Sequence, residues 1–174
     1  MIRNLSIFVL WLLSFFISFS FSDDFSKLLV KKWRFVDMQS PALNRLKVDT
    51  ERNLISLDDS IRNSESDTLK IIDFNNQKQI LESNKGTLDA MMTKMQIEGW
   101  IEFKNKNKFN QNMSGTEYGG TYNFDAKSNI LITTDIYSNS DTIVIKELTS
   151  TSLIMLTPKD STVIIFSAEV KVKK

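Results

Sequence analysis

Polar and apolar residues alternate through most of the C-terminal half of the chain, which is typical of half-buried β-strands. In residues 97–104, for example, Ile101 and Phe103 lie on one face, and Trp100 and Glu102 lie on the other. Further strands are predicted at residues 108–113, 118–125, 129–134, 141–148, 152–157 and 161–172. Short polar segments separate them, so consecutive strands are expected to pair as antiparallel hairpins.

An eighth strand is predicted near the start of the chain, at residues 29–38. Trp33 and Phe35 share one face of this segment, and Lys32 and Arg34 share the other. Eight antiparallel strands joined by short turns predict a mainly β protein, an eight-stranded antiparallel up-and-down barrel. Closure requires the first strand to pair with the last, so Trp33 is expected to close the base of the barrel.

A helical insertion of about residues 40–96 is predicted between the first and second strands. Ser40 and Pro41 suit a helix start, because Ser caps helices and Pro favours their first position. Apolar residues then recur at helical spacing: Leu43, Leu46, Leu54, Leu57 and Ile61, and later Leu88, Met91, Met92 and Met95. The methionines are interpreted as the buried side of a helix that covers the core, with a pliable ligand surface as the alternative. Residues 68–74 fit either a short strand or a helical turn.

The first 22 residues have the pattern of a secretory signal peptide. Arg3 is the only charged residue, an apolar run follows, and Ser20 and Ser22 precede Asp23 at the spacing of a cleavage site. An uncleaved membrane anchor is the alternative, since the run is just long enough to span a bilayer. Cleavage after Ser22 is predicted, which leaves residues 23–174 as one barrel domain. The protein is then expected to be exported to the periplasm or the extracellular space without a stable membrane anchor.

The amino-acid composition excludes several classes of function. The chain has no Cys and no His, which excludes disulfides, thiol or imidazole catalysis, thiolate or imidazole metal sites and a lipidated Cys. Without Arg3 the basic and acidic side chains are equal in number, 21 of each, which argues against nucleic-acid binding. Residues 135–141 are acidic enough to suggest weak calcium binding, but they lack the pattern of a calcium loop, and a long hairpin loop is favoured. No catalytic residue, metal or cofactor is predicted, and the protein is not expected to be an enzyme.

Four motifs follow one another in a characteristic order along the chain. They are Lys31-Lys32-Trp33, GWIEFKNKNKF at residues 99–109, GGTYNFD at residues 119–125 and IKELTSTSLIML at residues 145–156. In this order they resemble the motifs of the bacterial lipocalin-like domain proteins, and the resemblance implies a lipocalin-like barrel. The chain departs from the family in three places: Lys31 or Lys32 replaces the Gly before the Trp, Asn105-Lys106-Asn107 replaces an Asp-Gly turn, and Tyr122 replaces a Trp. It also lacks the lipidated Cys that many relatives carry.

Two functions remain open. The first is a carrier that holds a small hydrophobic ligand inside the barrel. Alternation places these candidate ligand-binding residues in the interior: Trp33, Phe35, Ile101, Phe103, Phe109, Met113, Tyr122 and Phe124. The second is a structural or protein-interaction module of the cell envelope, with an interior filled by side chains, for which Trp100 on a polar strand face is a hint. An enclosed apolar void of about 300 Å³ or more favours the carrier, and a filled barrel favours the module.

Overall fold

The protein is an eight-stranded antiparallel barrel in a computed structural model that describes residues 25–64, 67–113 and 115–169. Each strand pairs with the next, and the last pairs with the first. The strands are β1 (Lys32–Gln39), β2 (Trp100–Lys104), β3 (Lys108–Asn112), β4 (Glu117–Asp125), β5 (Ile130–Asp135), β6 (Ser140–Leu148), β7 (Ser152–Thr157) and β8 (Thr162–Ala168). The predicted barrel with its helical insertion is confirmed. The predicted signal peptide lies outside the described residues.

Two β-bulges interrupt the alternation of inward and outward side chains. The register of β1 against β8 shifts between Phe35 and Asp37, and that of β6 against β7 shifts between Ile145 and Glu147. A bulge adds one residue to one strand, so the following side chains change face. Met38 rather than Asp37 therefore packs against the core, and Leu148 is buried at the end of β6.

Aromatic side chains fill half of the barrel. Trp33, Phe103 and Phe166 are almost completely buried there, together with Leu131 and Leu153. The rings of Phe103 and Tyr122 meet edge to face with centroids 5.1 Å apart, and those of Phe35 and Phe166 do so at 6.1 Å. Edge-to-face contact is a favoured arrangement of aromatic rings, because the positive ring edge meets the negative face.

The insertion consists of two long helices, α1 (Pro41–Asn63) and α2 (Thr68–Glu98). Ser40 caps α1 by accepting a hydrogen bond from the Leu43 N–H, with Pro41 in the first turn, as the sequence predicts. Residues 68–74, for which the sequence allowed a short strand or a helical turn, form the beginning of α2. Asp67 is the N-cap residue of this helix. The strand predicted from residue 97 begins only at Trp100, because α2 continues to Glu98 and leaves Ile97 exposed.

The two helices pack against each other as a hairpin. Lys78 of α2 binds Asp58 of α1 at 2.6 Å, and Lys85 lies 3.6 Å from Glu51. Only Met95 is buried among the described residues of the two helices. The interpretation of the methionines as a core-covering stripe is confirmed for Met95 and for Met92, which packs against the core, but it is wrong for the exposed Met91.

Neither helix is apolar enough over a sufficient length to cross a bilayer, a finding that covers the described parts of the chain.

Candidate functional site: the open end of the barrel

One end of the barrel is plugged by the residues that precede β1. Residues 25–29 form a single helical turn, and Leu29 beneath the barrel is completely buried. The Trp33 indole N–H donates to the Leu29 carbonyl oxygen at 3.0 Å, and the Phe103 N–H donates to the Lys31 carbonyl oxygen at 3.0 Å. We call this the closed end. These contacts tie the plug to β1 and β2, and a mostly polar surface depression of about 380 Å³ lies beside them, lined by Lys31, Lys32 and Glu102 among others.

The opposite end, where β1 ends and β2 begins, opens into a cavity of about 600 Å³. We call it the open end. The cavity reaches inward as far as Ile101, Met155 and Phe166. Below it lie the packed aromatic rings of the closed half, so the barrel is filled at one end and hollow at the other.

Methionine and isoleucine side chains form most of the apolar wall of this cavity. The residues are Met38, Met95, Met113, Met155, Ile101, Ile143, Ile164 and Phe166. The helical insertion and the barrel both contribute to this wall. Met95 belongs to the last turn of α2, and the other residues belong to the barrel. Methionine is unbranched and polarizable, so a wall rich in it adapts to apolar ligands of different shapes.

Polar side chains occupy the neighbouring strands β3 to β6. Gln111 and Tyr118 face each other across β3 and β4, and Thr133 and Asp141 do so across β5 and β6. All four line the cavity. Cross-strand partners point to the same face of a sheet, so these four side chains form one continuous polar surface inside the barrel.

Charged groups lie at the rim of the cavity. Lys159 and Asp160 occupy the turn between β7 and β8, where the Asp160 carboxylate accepts a hydrogen bond from the Thr162 N–H at 3.0 Å. Burial raises the pKa of the Tyr118 phenol; a hydrogen bond with Gln111 opposes this rise, and the negative charges of Asp141 and Asp135 add to it. The Tyr118 hydroxyl is therefore neutral at physiological pH and offers one donor and one acceptor.

The loop at residues 135–141 is built around Asp135. Its carboxylate accepts hydrogen bonds from the N–H groups of Tyr137 and Asn139, at 2.8 and 2.9 Å, and from the Asn139 side-chain amide. Hydrogen bonds from Asn139 and then Tyr137 hold the pKa of Asp135 below its usual value. The favoured interpretation as a hairpin loop agrees with this arrangement, because the carboxylate is engaged by its own loop. No cluster of metal-ligating side chains occurs within the described residues.

Two of the eight predicted ligand-binding residues, Ile101 and Met113, line the cavity. The other six lie outside its wall: Trp33, Phe35, Phe103, Phe109 and Tyr122 are buried in the core, and Phe124 packs against that core. Their inward direction was predicted correctly. Large rings fill the closed half, so only two of the eight residues border the cavity at the open end. Ligand contact by Ile101 or Met113 stays a prediction.

Several cavity residues were missed by the sequence analysis. Alternation along β6 and β7 contains the signal for Ile143 and Met155, since each lies two residues from a buried position, Ile145 and Leu153. Phe166 lies two residues from the partly buried Ile164 and Ala168. Met38 carries no such signal, because the bulge in β1 moves it to the inner face. The packing of α2 against the barrel brings Met95 to the cavity. Helical periodicity alone does not determine that packing.

The chain matches no protein-family model and no curated protein. Among solved structures it is similar to a DUF4847 family protein from Bacteroides vulgatus ATCC 8482. The identity is 14% and the TM-score is 0.45, and the match covers 83% of this chain and 96% of that chain.

Proposed function

We propose that the protein is an exported, non-catalytic, lipocalin-like carrier that binds a small apolar ligand at the open end of its barrel. The cavity of about 600 Å³ is the observation that carries the proposal. Small-molecule sites have volumes of about 300–1,000 Å³ and are mostly apolar with a few polar groups. The methionine-rich wall beside the polar side chains of β3 to β6 supports the same function.

The amino-acid composition supports a non-catalytic function. A sequence without His and Cys has no imidazole base and no thiol nucleophile. The one carboxylate among the four polar cavity residues, that of Asp141, is exposed at the rim. Binding and release of a ligand require none of these groups.

The carrier function is tested by native mass spectrometry of the protein purified from its own envelope, followed by thermal-shift screening with fatty acids and other small lipids. A ligand that binds only the folded state raises the melting temperature as its concentration rises above Kd. The variant Met113→Trp places a large ring in the cavity wall and should abolish the shift. Met91→Trp, on the exposed side of α2, is the matched control and should retain it. Absence of any co-purified molecule and of any shift would contradict the carrier function.

Export is supported by the apolar run of the first 22 residues and by Ser20-Phe21-Ser22 before Asp23. The proposed mature protein begins at Asp23. The absence of Cys from the sequence leaves no acceptor for a lipid anchor. Intact-mass measurement of the exported protein tests the cleavage site, and a membrane-bound species that retains Met1 would contradict it.

The helical hairpin favours a second candidate function, that of an interaction module of the cell envelope. Leu69 is 79% exposed and Ile80 is 61% exposed on α2. These residues are eleven positions apart, which places them on the same side of a helix, with Ile72 between them. Exposed apolar side chains in one patch are typical of a protein-binding surface.

A photo-reactive residue at position 80 tests this second function in intact cells. A single cross-linked envelope protein is expected, and none is expected from position 121 on the exposed face of the barrel. Equal cross-linking from both positions would contradict a specific surface on the hairpin.

A further inference from the structure

Thr133 is a buried polar residue without a hydrogen-bond partner for its side chain. It is 9% exposed and lines the cavity near the middle of β5. Its hydroxyl has no partner among the described residues, and it remains accessible from the cavity. A hydroxyl that faces a cavity without a protein partner is usually satisfied by water or by a ligand.

The polar groups near Thr133 are arranged along one side of the cavity. Its hydroxyl, the Gln111 amide and the Tyr118 phenol lie on three consecutive strands, and each can both donate and accept hydrogen bonds. Met38, Met155 and Ile164 occupy the other side, on β1, β7 and β8. Most of the cavity wall is thus apolar, its hydroxyl and amide groups are concentrated on β3 to β5, and one further hydroxyl, that of Thr157, lies on β7.

The rim of the cavity disfavours a negatively charged ligand group. Asp141 and Asp160 contribute two carboxylates, against the single ammonium group of Lys159. A third carboxylate, Asp135, is close enough to Tyr118 to act on its hydroxyl. A carboxylate head group at the mouth would be repelled by these groups, whereas a hydroxyl group could donate to Asp141.

We propose that the ligand is an uncharged amphiphile that carries hydroxyl or amide groups along one side, and that Thr133 and Gln111 bind those groups. This inference rests on the proposed carrier function and specifies its ligand class. The apolar part of the ligand lies against the methionine side of the cavity. The polar part bonds the Thr133 hydroxyl and the donor and acceptor positions of the Gln111 amide that its hydrogen bond with Tyr118 leaves open.

Three probes that share one alkyl chain and differ in their head groups test the ligand class. They are 1-monododecanoylglycerol, dodecanoate and dodecylammonium, used at pH 7 below their micellar concentrations. Each competes with N-phenyl-1-naphthylamine, an uncharged fluorescent reporter of apolar sites. The glycerol ester is expected to bind at least about tenfold more tightly than dodecanoate. It makes one additional hydrogen bond, and the rim carboxylates do not repel it as they repel dodecanoate. Dodecylammonium is attracted by the rim carboxylates, but it is expected to bind more weakly than the ester because its ammonium group is costly to desolvate and has no acceptor for the Thr133 hydroxyl.

Two matched variants test the role of Thr133. Thr133→Val keeps the shape of the side chain and removes the hydroxyl, so affinity for the glycerol ester should fall about fivefold. Affinity for the naphthylamine reporter should not change. Thr142→Val, on an exposed position of β6, is the control and should leave both affinities unchanged.

Asp141→Asn should raise the affinity for dodecanoate severalfold.

The outcomes separate this inference from the carrier function. Tightest binding of dodecanoate or dodecylammonium would overturn the uncharged ligand class, although the protein would still be a carrier. An unchanged affinity of Thr133→Val for the glycerol ester would overturn the role of Thr133. Failure of the reporter and all three probes to bind would contradict the carrier function itself, and the inference with it.

Discussion

The indole N–H of Trp33 donates to the carbonyl oxygen of Leu29 at 3.0 Å, and both side chains are 0% exposed. This contact joins the first strand of the barrel to the segment that plugs its closed end. Trp33 also lies opposite Ala168 of β8, at the seam where the barrel closes. One residue thus connects the plug, the first strand and the last strand. The expectation that Trp33 closes the base of the barrel is confirmed.

Trp33→Ala is expected to lower the free energy of unfolding by about 3–5 kcal/mol, because it removes a large buried side chain and its hydrogen bond. Trp100→Ala is the matched control. Trp100 is half-buried on the outer face, with the Lys32 amine 4.3 Å from its ring, and its loss should be below about 2 kcal/mol. Urea unfolding followed by circular dichroism measures both changes. Equal losses would contradict the arrangement described for the closed end.

Much of the barrel could be predicted because its turns are short and its strands alternate. Consecutive strands at such spacing pair as hairpins, and closure then places β1 beside β8. The bulges at Phe35 to Asp37 and Ile145 to Glu147 could not be predicted, since they depend on the register between two strands. The end of α2 was also misplaced, because Ile97 and Glu98 fit the alternation of β2 but continue the helix.

The candidate site was predicted less well than the fold. Alternation separates inward from outward side chains, but it contains no information on depth along the barrel axis. Phe103 and Ile101 both point inward, yet only Ile101 reaches the cavity. Which half is filled depends on how the rings of non-adjacent strands meet, such as those of Phe103 and Tyr122. That packing is a property of the three-dimensional arrangement.

Gly99 joins α2 to β2 in a space too small for a side chain. A Cβ atom at this position would clash with the Met95 carbonyl oxygen and lie 2.9 Å from the Phe35 Cβ. Gly99→Ala is therefore expected to destabilise the protein by about 1–3 kcal/mol, as for other overpacked sites. Gly86→Ala, in α2 with nothing within 4 Å, should instead stabilise it by about 0.5–1 kcal/mol. Thermal unfolding of the two variants measures these opposite signs, and a stabilising Gly99→Ala would contradict the tight junction.

Stability is expected to fall when the pH decreases below about 4. The pKa of Asp125 is held below its usual value by hydrogen bonds from the Ser128 hydroxyl and the Lys127 N–H, and that of Asp135 is lowered by hydrogen bonds from Asn139 and Tyr137. A lowered pKa in the folded state means that the ionised carboxylate stabilises the fold. This contribution is complete above the unfolded-state pKa and is lost as the pH falls through the folded-state pKa.

The urea midpoint should therefore be lower at pH 3 than at pH 6. The difference should become smaller in the double variant Asp125→Asn, Asp135→Asn, since these carboxylates no longer titrate. Asp89→Asn combined with Glu98→Gln, at two exposed positions of α2, controls for the change in total charge. A double variant with the full pH dependence of the parent protein would show that the two turns do not contribute to it.

The outer part of the helical hairpin should be dispensable for the barrel. α1 has no buried residue, and α2 has only Met95, which lies near its C-terminal end. Replacing residues 52–84 with a short Gly/Ser loop removes the Lys78–Asp58 ion pair but keeps Met92, Met95 and the junction at Gly99. The ion pair is partly exposed, and such pairs contribute about 0–1 kcal/mol, so the barrel should keep most of its stability. Cooperative unfolding with an unchanged emission spectrum of Trp33 is the expected result. A shortened protein that fails to fold would instead show that the hairpin stabilises the barrel through α1, and the surface of the hairpin would then be structural.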